Sequence, residues 1–220
     1  MHALETVYKA RPSSQYRTDG SWYFDNYGQS LVSCAAENGH QEIVMKLLEW
    51  DSLWKDVPDH YGLTPLYYAP VNGHEDIVRA LLGFFADGKK VDRQIPSCLT
   101  VAVQKSNVEV VRVLLSLKKF TAQALNDPKL GLLHLAIEAR NREIVKLLLD
   151  CDGVDVNLKR ACGETPIWCA IEQGTMIIEL LKTKKIDLHA AKFGGKTPLE
   201  FAIQRKQIRA IRVLRDYYPK

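Results

Sequence analysis

At 220 residues, with 46% apolar and 25% charged side chains and a formal charge of +4, the chain has the composition of a folded soluble protein and no need of a polyanionic partner. No apolar run approaches the roughly 18 residues of a membrane span, and the first twenty residues lack a signal-peptide core, so the expected location is cytoplasmic, with the nucleus as the alternative. Five cysteines (Cys34, Cys98, Cys151, Cys162, Cys169) form no C-x-x-C pair and no zinc spacing, which points to reduced thiols; no metal and no cofactor are expected.

Residues 1–24 stand apart as an N-terminal segment, and Trp22-Tyr23-Phe24 within it is the most concentrated aromatic run of the chain. The segment reads as a cap, because the apolar end of a repetitive stack must be covered. From Asp25 onward a unit recurs. Aligned on Ala35, Ala69, Ala102, Ala136, Ala170 and Ala202, successive copies are 34, 33, 34, 34 and 32 residues apart, and they divide the chain at about 25–58, 59–91, 92–125, 126–156, 157–186 and 187–218.

In the most regular copy, Thr64 is placed to cap a helix through its hydroxyl, and Pro65 to take the first helical position, where its missing N–H costs nothing. Thr165-Pro166 and Thr197-Pro198 repeat the device. Gly39 and Gly73 suit the left-handed residue that closes such a helix. A second helix follows with apolar spacing Ile77, Val78, Leu81, Leu82, matched by Ile43, Val44, Leu47, Leu48 and by Ile144, Val145, Leu147, Leu148. One such pair cannot bury both apolar faces alone. The period therefore predicts an all-α solenoid of stacked helix-turn-helix units joined by short β-turn or hairpin loops.

The copies depart from this pattern in particular ways. The first has Ser30-Leu31 in place of Thr-Pro. In the second, Pro70 falls inside the first helix and removes a hydrogen bond or bends it. The third keeps only Leu99, Ala102 and the Val110, Val111, Leu114, Leu115 stripe, with Ile95 at the turn glycine and Ser97-Cys98 at Thr-Pro. In the fourth the glycine is displaced to Gly131. The fifth runs from Gly174-Thr175-Met176 straight into Ile177, about two residues short of the second, which a tight inter-helix turn would explain. The sixth is basic, with Lys192, Lys196, Arg205, Lys206, Arg209, Arg212 and Arg215 against Glu200 and Asp216, the solvated face expected of a terminal copy.

Asp59, Gly62, Thr64, Pro65, Leu66, Ala69, Gly73 and His74 in one copy recur in register with Asp155-Val156-Asn157 in another and Gly163, Thr165, Pro166, Ala170 and Gly174 in a third. On these residues, positions 25 to 217 resemble an ankyrin-repeat array. The resemblance implies a scaffold or adaptor that binds a partner protein or peptide and performs no chemistry. It also implies that His40, His74 and His134 hydrogen-bond backbone between copies.

No P-loop, H-E-x-x-H, G-x-S-x-G or strand-linked G-x-G-x-x-G occurs, so no catalytic residue is assigned. In a fold whose scaffold positions are dictated by packing, exposed turn positions are where recognition is expected. Tyr27 and Gln29, His60, Tyr61 and Leu63, Arg93 and Gln94, and Glu164 with Arg160 are therefore the candidate partner contacts of a concave face, Tyr and Arg being common interface anchors. The alternative is a small-molecule or enzymatic pocket between the N-terminal aromatic segment and the groove. It would use Trp22, Tyr23, Tyr67, His134 and Trp168 for stacking and proton transfer. A nucleic-acid partner on the sixth copy is disfavoured by the modest net charge.

Overall fold

The computed structural model describes residues 25–50, 55–84, 94–117, 125–189 and 194–217. The N-terminal segment, with Trp22, Tyr23 and Phe24, and also Arg93, lie outside the described residues. Among the described residues, six helix pairs follow one another. In chain order they are α1 (Leu31–Glu37) with α2 (Gln41–Trp50), α3 (Pro65–Val71) with α4 (Glu75–Phe84), and α5 (Ile95–Gln104) with α6 (Val108–Ser116). Then come α7 (Leu132–Glu138) with α8 (Arg142–Leu149), α9 (Pro166–Gln173) with α10 (Ile177–Lys182), and α11 (Pro198–Gln204) with α12 (Ile208–Tyr217). No strand forms among the described residues.

The alanines that set the period set the packing. All six are buried, at 5% exposure for Ala35 and 0% for the other five, and a side chain this small lets consecutive inner helices α1, α3, α5, α7, α9 and α11 lie against one another. The same alanine closes each inner helix: the N–H five residues on donates to its carbonyl in every copy, from His40, His74, Asn107, Asn141, Thr175 and Gln207, at 2.9 to 3.2 Å. One residue earlier the backbone is left-handed, at Gly39 and Gly73 but also at Ser106, Arg140 and Lys206, whose φ of 54° to 59° carries a Cβ penalty glycine avoids. The outer helices bury the predicted stripes, including Val44 and Leu48, Ile77, Val78 and Leu81, and Ile144, Val145 and Leu148. The result is one continuous core along the array.

Three local expectations are corrected. Of the three Thr-Pro pairs, only Thr197 caps its helix through its side chain, in a reciprocal capping box with Glu200. Thr64 instead donates its hydroxyl to Gln94 Oε1 of the next copy at 2.6 Å, and Thr165 Oγ1 is buried without a hydrogen-bond partner. In the third copy, Ile95 is not a substitute turn residue. Helix α5 starts a turn earlier than its counterparts, at Ile95-Pro96, so Ser97 and Cys98 lie inside it and Ile95 is buried at 2%. In the fifth copy the inter-helix turn closes like the others, through Thr175 N–H on Ala170 O, and the shortage falls on the outer helix. Helix α10 has six residues where the other outer helices have eight to ten, and it starts after Met176 at φ +61°.

Candidate functional site

Turn tips project from the start of the copies, and the first two are held by an aspartate. Asp25 Oδ1 accepts from the N–H of Tyr27 at 2.9 Å and of Gln29 at 2.8 Å; Asp59 Oδ1 accepts from Tyr61 and Leu63, each at 2.8 Å. Each tip is closed by backbone bonds as well, from Gly28 to Asp25 and from Gly62 to Asp59. The short carboxylate satisfies the turn's own donors, and the side chain two residues after it is left pointing outward. Tyr27 is 62% exposed and Tyr61 72% exposed.

The two tips are also fastened to each other. His60 N–H donates to Tyr27 O at 3.0 Å. The His60 ring lies on Gly28, whose φ is +75° and where an added Cβ would come within 2.4 Å of the ring. Only glycine serves there, for both conformation and space. Behind the tips, the Tyr68 hydroxyl donates to Asp59 Oδ2 at 2.5 Å. Burial works against ionisation of Asp59, yet the Tyr68 hydroxyl and the Leu63 and Tyr61 N–H groups outweigh it and hold the carboxyl below its ordinary range. Burial and the Asp59 carboxylate push the Tyr68 phenol up. Asp59 is therefore ionised and Tyr68 protonated at neutral pH, a fixed donor-acceptor pair that stiffens the second tip.

The structure thus brings Tyr27, His60 and Tyr61 together as neighbouring exposed groups. The other candidates are tied into the scaffold. Gln29 is 8% exposed, and its Nε2 donates to Glu37 Oε2 at 2.8 Å. Leu63 is half-buried, and Gln94 sits at the start of α5 rather than on a tip, as the acceptor for Thr64. Glu164 offers its carbonyl to His134 Nε2 at 3.1 Å. Arg160, grouped with it on sequence grounds, forms a two-pronged ion pair with Glu138 of the preceding copy. Where the fifth tip lacks an aspartate, this pair holds it.

Of the alternative pocket, Trp22 and Tyr23 lie outside the described residues, and the other three residues are packed into the scaffold. Tyr67 is half-buried, edge-on to Tyr68 at 5.8 Å, and Trp168 is 2% exposed with its ring 4.4 Å from that of Phe201. His134 is fully buried; burial first, then the nearby Arg160 charge, lowers its pKa to about 4, so it is neutral. Its Nε2 carries the proton that reaches Glu164 O, and Nδ1 meets no partner. His74 Nε2 likewise reaches Glu37 O of the preceding copy at 3.1 Å. Among the described residues, no group of three or more His, Cys, Asp or Glu is placed to hold a metal ion.

Two groups escaped the sequence reading: Tyr68 as the partner of Asp59, and Glu138 as the partner of Arg160. Neither spacing, nine residues and 22 residues, carries a local signal; both depend on how adjacent elements stack.

The family described as ankyrin repeats matches in three overlapping stretches, residues 15–95, 85–160 and 133–220. The chain belongs to the ankyrin-repeat proteins. Among relatives of this ankyrin-repeat chain are the regulatory protein NPR5 of Arabidopsis thaliana, 32% identical over 101 residues (45% of this chain and 20% of that protein), and the E3 ubiquitin-protein ligase XBAT33 of the same plant, 35% identical over 105 residues (46% and 20%). The chain spans about a fifth of the length of each. The crystal structure of the ankyrin repeat domain of Bcl-3, a member of the IkappaB protein family, superposes with a TM-score of 0.74 over 88% of both chains at 23% identity, a likeness of fold. Ankyrin repeats are in general protein–protein interaction modules. Among the described residues of this array, no helix is long and apolar enough to cross a membrane.

Proposed function

We propose that this ankyrin array is a non-catalytic recognition module that holds a partner protein or peptide on the concave face, with the first two turn tips as its centre. One observation carries the reading: Tyr27 and Tyr61, at equivalent positions of adjacent copies, stand 62% and 72% exposed on tips whose backbones are fixed by Asp25, Asp59 and the His60 to Tyr27 hydrogen bond. A tyrosine presented on a rigid turn loses little entropy when a partner covers it, and each ring has an apolar body and a polar edge. Removing a central aromatic anchor costs on the order of 2 kcal/mol, about thirtyfold in affinity.

The test is affinity capture from extract of the source cell, comparing the intact chain with a Tyr27→Ala, Tyr61→Ala double variant whose circular dichroism and unfolding midpoint match the parent. A protein retained by the parent and lost by the variant supports the reading. Equal retention by both refutes the assignment of the tips, and retention of small metabolites alone refutes the adaptor role.

A further inference from the structure

The outer-helix layer is thinnest at one place. Consecutive outer helices pack together, most sparsely at α8 and α10, which the Arg142–Glu179 ion pair joins at 2.6 Å. Helix α10 has six residues beside the eight of α8. Two adjoining depressions, of about 350 and about 560 Å³, open on either side of Ile178, and both are bordered by Arg142 and Glu179. Their floor is apolar, with Leu149 and Val213 half-buried and Ile178 47% exposed. Their rim is cationic. Arg140, Arg142, Lys146, Lys182, Lys185 and Arg209 border the two depressions, against Asp150 and Glu179, and Glu179 is already paired with Arg142 at 2.6 Å.

We propose that this opening is a second recognition site, on the face opposite the turn tips, for an acidic amphipathic helix of a partner protein. The complementarity selects the occupant. An apolar side chain at the centre of such a helix covers Ile178, while its flanking Asp and Glu meet the lysine and arginine rim, which speeds association and sets orientation. A second copy of this chain presenting the same face would set cation against cation and is disfavoured. The inference is independent of the reading given to Tyr27 and Tyr61.

The experiment is a display selection of helix-forming random peptides on the intact chain, followed by titration of the enriched peptides. The expected consensus has apolar residues at i and i+4 flanked by Asp and Glu. Affinity should fall at least tenfold with Ile178→Glu, and likewise with Lys146→Glu, Lys182→Glu together, while Tyr27→Ala, Tyr61→Ala leaves it unchanged. Both exposed sites tolerate substitution, and unaltered circular dichroism confirms each fold. Selection yielding no peptide, or neutral or basic peptides, overturns the proposal, as does binding insensitive to Ile178→Glu. Polyglutamate that binds parent and Ile178→Glu equally well and displaces the selected peptides overturns it too, since a diffuse positive field would then suffice.

Discussion

Pro70 and Cys98 lie in different copies, yet the fold makes them one device. Proline has no N–H, so the carbonyl of Leu66, four residues back in α3, lacks its helical donor. The thiol of Cys98, 1% exposed in α5, supplies the replacement, reaching Leu66 O at 3.1 Å. Burial pushes that thiol's pKa up to about 12, so it remains a donor at any ordinary pH. Cys98→Ala removes a buried sulfur, worth about 1 kcal/mol of transfer, and leaves Leu66 O without a partner, worth about 1 to 2 kcal/mol more. The expected loss is therefore about 2 to 3 kcal/mol in the parent chain. In a Pro70→Ala background, the new N–H can bond Leu66 O, and Cys98→Ala should cost only the transfer part, about 1 kcal/mol. The coupling between the two sites is then about 1 to 2 kcal/mol, measurable as a double-mutant cycle from urea unfolding followed by circular dichroism. A coupling below about 0.3 kcal/mol, the usual scatter of additive sites, would refute the shared-carbonyl argument.

Three further outcomes follow from the same geometry. His134 is neutral and buried with a folded pKa of about 4 against a reference of 6.5, so as pH falls the unfolded chain takes up the proton first. Its contribution is complete above pH 6.5 and is lost as pH drops towards 4, a fall of roughly 3 kcal/mol in unfolding free energy that His134→Gln should remove from the pH profile. Lys206, exposed at φ +55° where the first two copies have Gly39 and Gly73, should gain about 0.5 to 1 kcal/mol on replacement by glycine; an unchanged or lower urea midpoint would contradict the strain assigned there. Leu81, 0% exposed between α4 and its neighbours, should cost about 2 to 5 kcal/mol as Leu81→Ala, and a loss under about 1 kcal/mol would place it in the wrong register.

The fold was legible because it is a local pattern repeated. Six alanines at near-constant separation, a glycine four residues on in three of the copies, and an apolar stripe after it each report a constraint within one copy, and the array follows from the need of each pair to bury its second face. The candidate site was legible only in part. Tyr27 and Tyr61 could be placed on tips because Asp25 and Asp59 announce the turn within four residues. Gln29, Gln94 and Arg160 read as equally available, since nothing near them in sequence shows that Glu37, Thr64 and Glu138 engage them.

The amino-acid sequence by itself determined the helix pairs, their number and their stacking, because period and apolar spacing are properties of neighbouring residues. Tertiary structure alone decided what each side chain faces: Thr64 turned to Gln94 instead of capping its helix, Cys98 stood in for a missing backbone donor, and Ile178 of α10 was left exposed between two depressions. The physical reason is the same in each case. A partner some 30 residues away is fixed by how copies stack, and the energy of a hydrogen bond or an exposed apolar side chain depends on that neighbour rather than on the residue's own stretch of chain.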